Sequence, residues 1–158
     1  MESYKLLAFI HVAAVVVGLG STFAFPFLQA AAERSGVAAT RFMYEAARRI
    51  ENIVIFPATV IILLMGIGLI FDDNLPYKDD FPAWLMVAIP WYVATGLVWW
   101  FVQRKFADRA LETLRGVPDN APLPAAYFEF GKKVQMVGGI LGVSIIGILF
   151  LMVWKPGQ

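Results

Sequence analysis

The sequence predicts an all-α protein, a bundle of four transmembrane helices with both termini on the outer side. Three observations lead there. Four apolar runs, residues 6–28, 53–71, 81–103 and 134–154, hold no Asp, Glu, Lys or Arg. None of them alternates apolar and polar residues as the strands of a membrane barrel do. Basic residues gather in two of the connections: ten lie in residues 29–52 and 104–133, against three elsewhere. With 59% hydrophobic and 16% charged residues in 158, the chain departs from the soluble balance and reads as one membrane domain over residues 1–158.

The first run, LLAFIHVAAVVVGLGSTFAFPFL, is 23 residues long and spans about 34 Å as a helix, enough for a bilayer core of about 30 Å. It is too long for the apolar region of a signal peptide, and Glu2 offsets Lys5 ahead of it, so it is expected to stay in the membrane. In lipid the backbone must satisfy its own hydrogen bonds, which helices do within each segment. Gln29 to Arg34 continues this helix until Ser35-Gly36 breaks it. Thr40 to Asn52 has helical composition, with Glu45 and Arg49 spaced as an i, i+4 pair, and leads into the second run.

The turn at residues 72–80 is short and acidic. Arg104 to Arg115 extends the third run, Gly116-Val117-Pro118 stops it, and the proline-rich residues 116–124 form a loop. Glu129 and Lys133 make a second i, i+4 pair before the fourth run. The ten-to-three basic bias puts residues 29–52 and 104–133 in the cytoplasm, on solvated faces beside lipid headgroups. Tyr4, Tyr77, Trp84, Trp99, Trp100 and Trp154 fall near span ends, where amphipathic rings anchor at headgroup level. Pro26, Pro57 and Pro90 are expected to kink three spans.

Chemistry has few places to start. There is one histidine, His11, and no cysteine, which removes disulfides, thiolate metal sites and thiol catalysis. His11 lies about 8 Å inside the outer end of its span. Ala14, Gly18 and Thr22 follow it at helical spacing, so it belongs to a face that another helix can approach closely. The plainer role for it is a neutral imidazole bonded to a hydroxyl or carbonyl, near Ser144 or Tyr92. The chemical alternative is haem b or copper, with Met65 or Met86 as a soft second ligand. No catalytic residue and no hard-metal site is expected, because the cores hold no acid. Gly138 and Gly142 form a GxxxG on the fourth run, for which Ala14, Gly18 and Thr22 supply a complementary groove.

The stretches LLAFIHVAAVVVGLG, ARRIENIVIFPATVIILLMGIGL and LMVWKPG resemble a bacterial family of four-helix integral membrane proteins of unknown function. That family is distantly similar to the copper-resistance D-like proteins and to the haem-dependent protoporphyrinogen oxidases. The resemblance implies a multi-pass protein of the bacterial inner membrane. In the oxidases it matches a first-span histidine to His11, and a second-span arginine and proline to Arg48 or Arg49 and Pro57. Their third-span lysine and further histidines have no counterpart in residues 81–103. The expected role is a non-enzymatic membrane protein, a homo-oligomer or a subunit of a larger membrane complex, with the bilayer as its surroundings and no nucleic-acid partner. A haem- or copper-binding redox protein and a transporter or channel are the alternatives, the last disfavoured by the lack of an acid in any span.

Overall fold

The computed structural model describes residues 2–156, so Gly157 of the LMVWKPG stretch lies outside it. Four long helices make up the chain: α1, Ser3–Ser35; α2, Val37–Ile70; α3, Ala83–Thr113; and α4, Ala125–Trp154. All four are long and apolar enough to cross a membrane. At 1.5 Å per residue each exceeds the bilayer core of about 30 Å, so the apolar runs continue as helix at the end where the basic residues gather.

Composition explains where each helix stops. Gly36, with φ of 101°, is the whole connection between α1 and α2. That left-handed conformation is open to glycine without steric cost. Its carbonyl accepts from the Thr40 backbone N–H at 3.1 Å and from Thr40 Oγ1 at 2.9 Å, so the start of α2 is capped as the chain reverses. Between α2 and α3, Asp72 accepts from both the backbone and the side-chain N–H of Asn74, which holds its carboxyl below the ordinary range. A 3-10 turn at Pro76–Lys78 follows. Gly116, at φ 74°, turns the chain after α3, and Pro124 leads into α4.

The helices are not uniform. α1 holds a π-helical segment at Val15–Leu19 and a 3-10 segment at Gly20–Ala24, immediately before Phe25-Pro26. α2 holds a π segment at Glu51–Ile55, immediately before Phe56-Pro57. Proline lacks the N–H that an α-helix needs, and the turn before it rearranges to reassign the freed carbonyls. α3 carries a third π segment at Trp99–Gln103. Pro90 sits within α-helical Ala83–Val98.

α1 packs along α2, and α3 along α4, as two hairpins. Outward-facing positions are large and apolar, among them Phe9, Val16, Phe101, Val143 and Val153, the surface expected of a protein whose solvent is lipid. Three buried clusters tie the bundle. One, at the basic end, centres on Val37, Tyr44, Leu114 and Tyr127. A second, at the terminal end, centres on Ile70, Tyr77, Trp84 and Ala88. The third, between α1 and α2, is Ala14, Ala58 and Ile62.

Three local expectations change. Tyr77 and Trp84 are not headgroup anchors. They are buried edge to face at 5.8 Å, with the Lys155 ammonium over both rings and bonded to Tyr77 OH at 2.9 Å, because the turn after α2 folds back over the bundle end. Glu45 is exposed and makes no ion pair with Arg49. The neighbouring Arg48 pairs instead, with Asp108 across the helices and with Glu51. The small face of α1 meets α2 rather than α4: a Cβ on Gly18 would collide with that of Ala58. Glu129 and Lys133 do pair, at 2.9 Å.

Candidate functional site

Between the buried clusters lies a cavity of about 130 Å³ to which all four helices contribute. Its walls are largely apolar: Leu19 and Phe25 from α1, Ile55 and Ile62 from α2, Leu141 and Ile145 from α4. Each π segment places residues on it, namely Val15 and Leu19, Glu51 and Ile55, and Trp99 and Gln103. A π turn shifts the helical face by one residue and carries an extra side chain inward, a feature that recurs at binding sites. Pro26, Gln135 and Leu149 line the cavity and are exposed, so it opens at the surface. There the α1–α4 seam is bridged by side chains, Gln29 to Gly131 and Phe23 against Gly142, rather than by close backbone approach.

The basic end of the cavity is polar. Glu51 is buried there, 8% exposed, with Arg48 Nη1 at 3.4 Å and Arg104 Nε at 3.9 Å. Arg104 Nη2 donates to Asn52 Oδ1 at 2.8 Å, and its guanidinium lies 4.2 Å from the Trp100 ring centroid. Arg48 also donates to Asp108. Two cations and two carboxylates thus balance, as burying charge requires. Glu51 faces the cavity, whereas Arg48, Arg104 and Asp108 line a second, shallower pocket on the far side of this cluster. The cluster therefore forms a partition between the two. Beside it Gln29 Nε2 donates to Glu33 at 2.9 Å, and Tyr127 OH donates to the same carboxylate at 2.6 Å.

His11 is elsewhere. Its Nδ1 lies 2.9 Å from the Ile62 carbonyl. A carbonyl only accepts, so Nδ1 carries the proton and the ring is held against α2. Gly66 makes the room, because a Cβ there would come within 3.2 Å of His11 Cε1. Neither expected partner is used: Tyr92 OH donates to Thr59 O at 2.9 Å, and Ser144 Oγ accepts from Trp91 Nε1 at 3.3 Å. Met65 is half-buried on α2, Met86 is 65% exposed on α3, and neither they nor His11 line the cavity. Ala14 packs with Ala58 and Ile62, and Thr22 lines the cavity; a Cβ on Gly138 would lie 3.5 Å from Gln103 Nε2, and one on Gly142 3.7 Å from the Phe23 ring. Among the described residues no three His, Cys, Asp or Glu side chains gather as a metal site would need.

Sequence reasoning passed over Glu51, Gln103 and Gln29 as cavity residues, and took Tyr92 only as a partner for His11. Glu51 was legible in the spacing. Residues 51, 55, 58 and 62 recur at steps of four, three and four, and all four are buried, so following that face back from Ile62 reaches Glu51.

A family model described as "Predicted integral membrane protein (DUF2269)" matches residues 5–156. The chain belongs to that family, and it is an integral membrane protein. No curated protein and no solved structure matches it.

Proposed function

We propose that this family member is a non-catalytic protein of the bacterial cytoplasmic membrane that holds a small, mainly apolar molecule inside its four-helix bundle. One observation carries the reading: a cavity lined by all four helices, largely apolar along its walls and charged only at one end. Such a pocket, with few polar groups to fix orientation, is the usual form of a small-molecule site. Its opening between α1 and α4 faces the side from which an apolar molecule dissolved in lipid would arrive. The absence of an acid from the spans had spoken against a transport role. Glu51 on the cavity wall removes that objection, and passage of the bound molecule past the charged partition is the second reading it favours.

A distant kinship with the copper-resistance D-like proteins and the protoporphyrinogen oxidases would make His11 a haem ligand. Its donated Nδ1–H leaves Nε2 free, the arrangement common in metal-ligating histidines, but Met65 and Met86 share no cavity with it. The proposal therefore rests on the cavity, with His11 as a residue that fastens α1 to α2.

The test uses the full chain in detergent. Small aromatic probes should raise its melting temperature saturably, and Ile145→Phe, which fills the cavity, should abolish the effect. A non-saturable response, or one unchanged in Ile145→Phe, would sink the reading. Orientation, with both termini outside, is supported by the ten-to-three basic bias. Single cysteines at Asn74 and Asn120 in this cysteine-free chain should label from the outside and the inside respectively. The reverse pattern would overturn it.

A further inference from the structure

The cavity is long rather than round. On α4 its lining runs through Val134, Gly138, Leu141, Ile145, Ile148 and Met152, at steps of three or four residues, so every turn contributes. α4 is unbroken α-helix there, and Val134 to Met152 rises about 27 Å. A round void of about 130 Å³ would be about 6 Å across, little more than the helical pitch of about 5.4 Å. This space is drawn out along several pitches and is thin.

Its opening is long too. Gln135 and Leu149 are the exposed lining residues of α4. They are two heptads apart with Gly142 midway, and residues seven apart fall close to one edge of a helix. A Cβ on Gly142 would lie 3.7 Å from the Phe23 ring, so that edge faces α1. The seam is therefore a slit of about 21 Å, crossed at its middle by one side chain. It closes one turn beyond Gln135, where Gln29 Nε2 donates to Gly131 O and Tyr127 OH to Glu33.

Polarity runs one way along the slit. Gln29, Glu51, Gln103 and Gln135 line the basic end, and Val15, Ile62, Ile148 and Met152 the other. Between them Thr22, Thr59 and Thr95 turn their hydroxyl protons to main-chain carbonyls at 2.6, 2.8 and 2.8 Å, which leaves methyl groups to the space. A ring would occupy one turn of this groove and forgo the contacts of the others, whereas an unbranched chain meets every turn. The basic end offers a sunken anion no free cation, because Arg48 and Arg104 are matched by Glu51 and Asp108. A head that stays outside, at the mouth beside Gln135, avoids that cost.

We propose that the groove takes one unbranched acyl chain of a bilayer phospholipid. The chain enters sideways through the α1–α4 slit, with its head at the basic end and its methyl end at Met152, while the second chain stays in the bilayer. This rests on the cavity being a binding site at all, and the experiment separates the two. Purified full-length protein in detergent is titrated with 1-octanol, 1-hexadecanol and p-xylene, and the thermal shift is read against each probe's mole fraction in the micelle. Micelle and groove are both hydrocarbon, so a difference reports fit rather than aversion to water. Hexadecanol should bind saturably and about tenfold more tightly than octanol, through contacts along the whole groove. Met152→Trp, which plugs the far end, should remove that advantage and leave octanol unchanged; Leu149→Phe serves if that variant fails to fold. A dipalmitoyl phospholipid added to the micelles should displace hexadecanol. Equal affinities for the two alcohols, or saturable binding of p-xylene alone, would overturn the chain and leave the cavity reading standing. A plug that spares hexadecanol, or weakens octanol as well, would overturn the placement of head and tail. Failure of the phospholipid to displace hexadecanol would overturn the phospholipid as the source of the chain. No saturable binding of any probe would overturn both readings.

Discussion

Helices α1 and α2 cross closely at Gly18 and Ala58, and replacing Gly18 by alanine tests it. An ideal Cβ on Gly18 falls inside the van der Waals envelope of the Ala58 methyl, with the Ala58 Cα 3.7 Å away. Neither obstacle is the tip of a flexible side chain, so no rotamer change relieves the overlap. Restoring a carbon–carbon contact of about 3.5–4 Å means parting the helices by on the order of 1 Å. Overpacking of that kind costs about 1–3 kcal/mol, offset by the ~0.5–1 kcal/mol that alanine gains over glycine within a helix. A net loss of about 1–2 kcal/mol is expected, measured by reversible unfolding in mixed micelles. Gly139→Ala is the control: nothing lies within 4 Å of its Cβ position, so it should be neutral or slightly stabilising. Ala58→Gly should rescue Gly18→Ala with a favourable coupling energy of about 1 kcal/mol or more. If Gly18→Ala proves as stable as Gly139→Ala, the two helices do not cross there and the packing argument fails.

His11→Gln should keep a donor for Ile62 O and fold normally, while His11→Leu should lose about 1 kcal/mol. Purified wild type should show no Soret band, and one that vanishes in His11→Gln would promote haem over the structural role. Glu51→Leu should cost about 2 kcal/mol, below the about 3–5 of a fully buried pair, since Arg48 keeps Asp108 and is 26% exposed; a loss under about 0.5 kcal/mol, within the range of an exposed pair, would mean that the partition is solvated. Gly142→Ala should be tolerated at 3.7 Å from Phe23 and Gly142→Leu should loosen the α1–α4 seam, detected as a lower melting temperature. Equal melting for Leu and wild type would turn that glycine towards lipid.

Helix number and length were legible because lipid imposes a length and a charge rule that any reader of the chain can apply. Helix ends were legible where Gly36 and Gly116 need a positive φ. The site was not, for a physical reason. Its carboxylate sits where an apolar run meets a basic one, and a charge at that position reads as solvated until the neighbouring helix is known to bring Arg104 and Asp108 against it. Gln103 and Tyr92 were hidden differently. They lie within or at the end of an apolar run, and their partners, the Val134 and Thr59 carbonyls, come from other helices that the sequence does not place beside them. His11 drew attention by being the sole histidine, yet its partner is a main-chain carbonyl, which no side-chain pattern announces.

The single-residue connection at Gly36 leaves α1 and α2 no slack, whereas residues 114–124 give α3 and α4 a longer tether. A link of one residue makes the first pair tilt together as one leaf in any opening of the bundle. A book that opens along the α1–α4 edge would widen the mouth of the cavity while its spine, the Arg48–Asp108 and Arg104–Asn52 contacts between α2 and α3, stays fastened. Crosslinking across the spine would then spare ligand exchange, and crosslinking across the opening edge would arrest it.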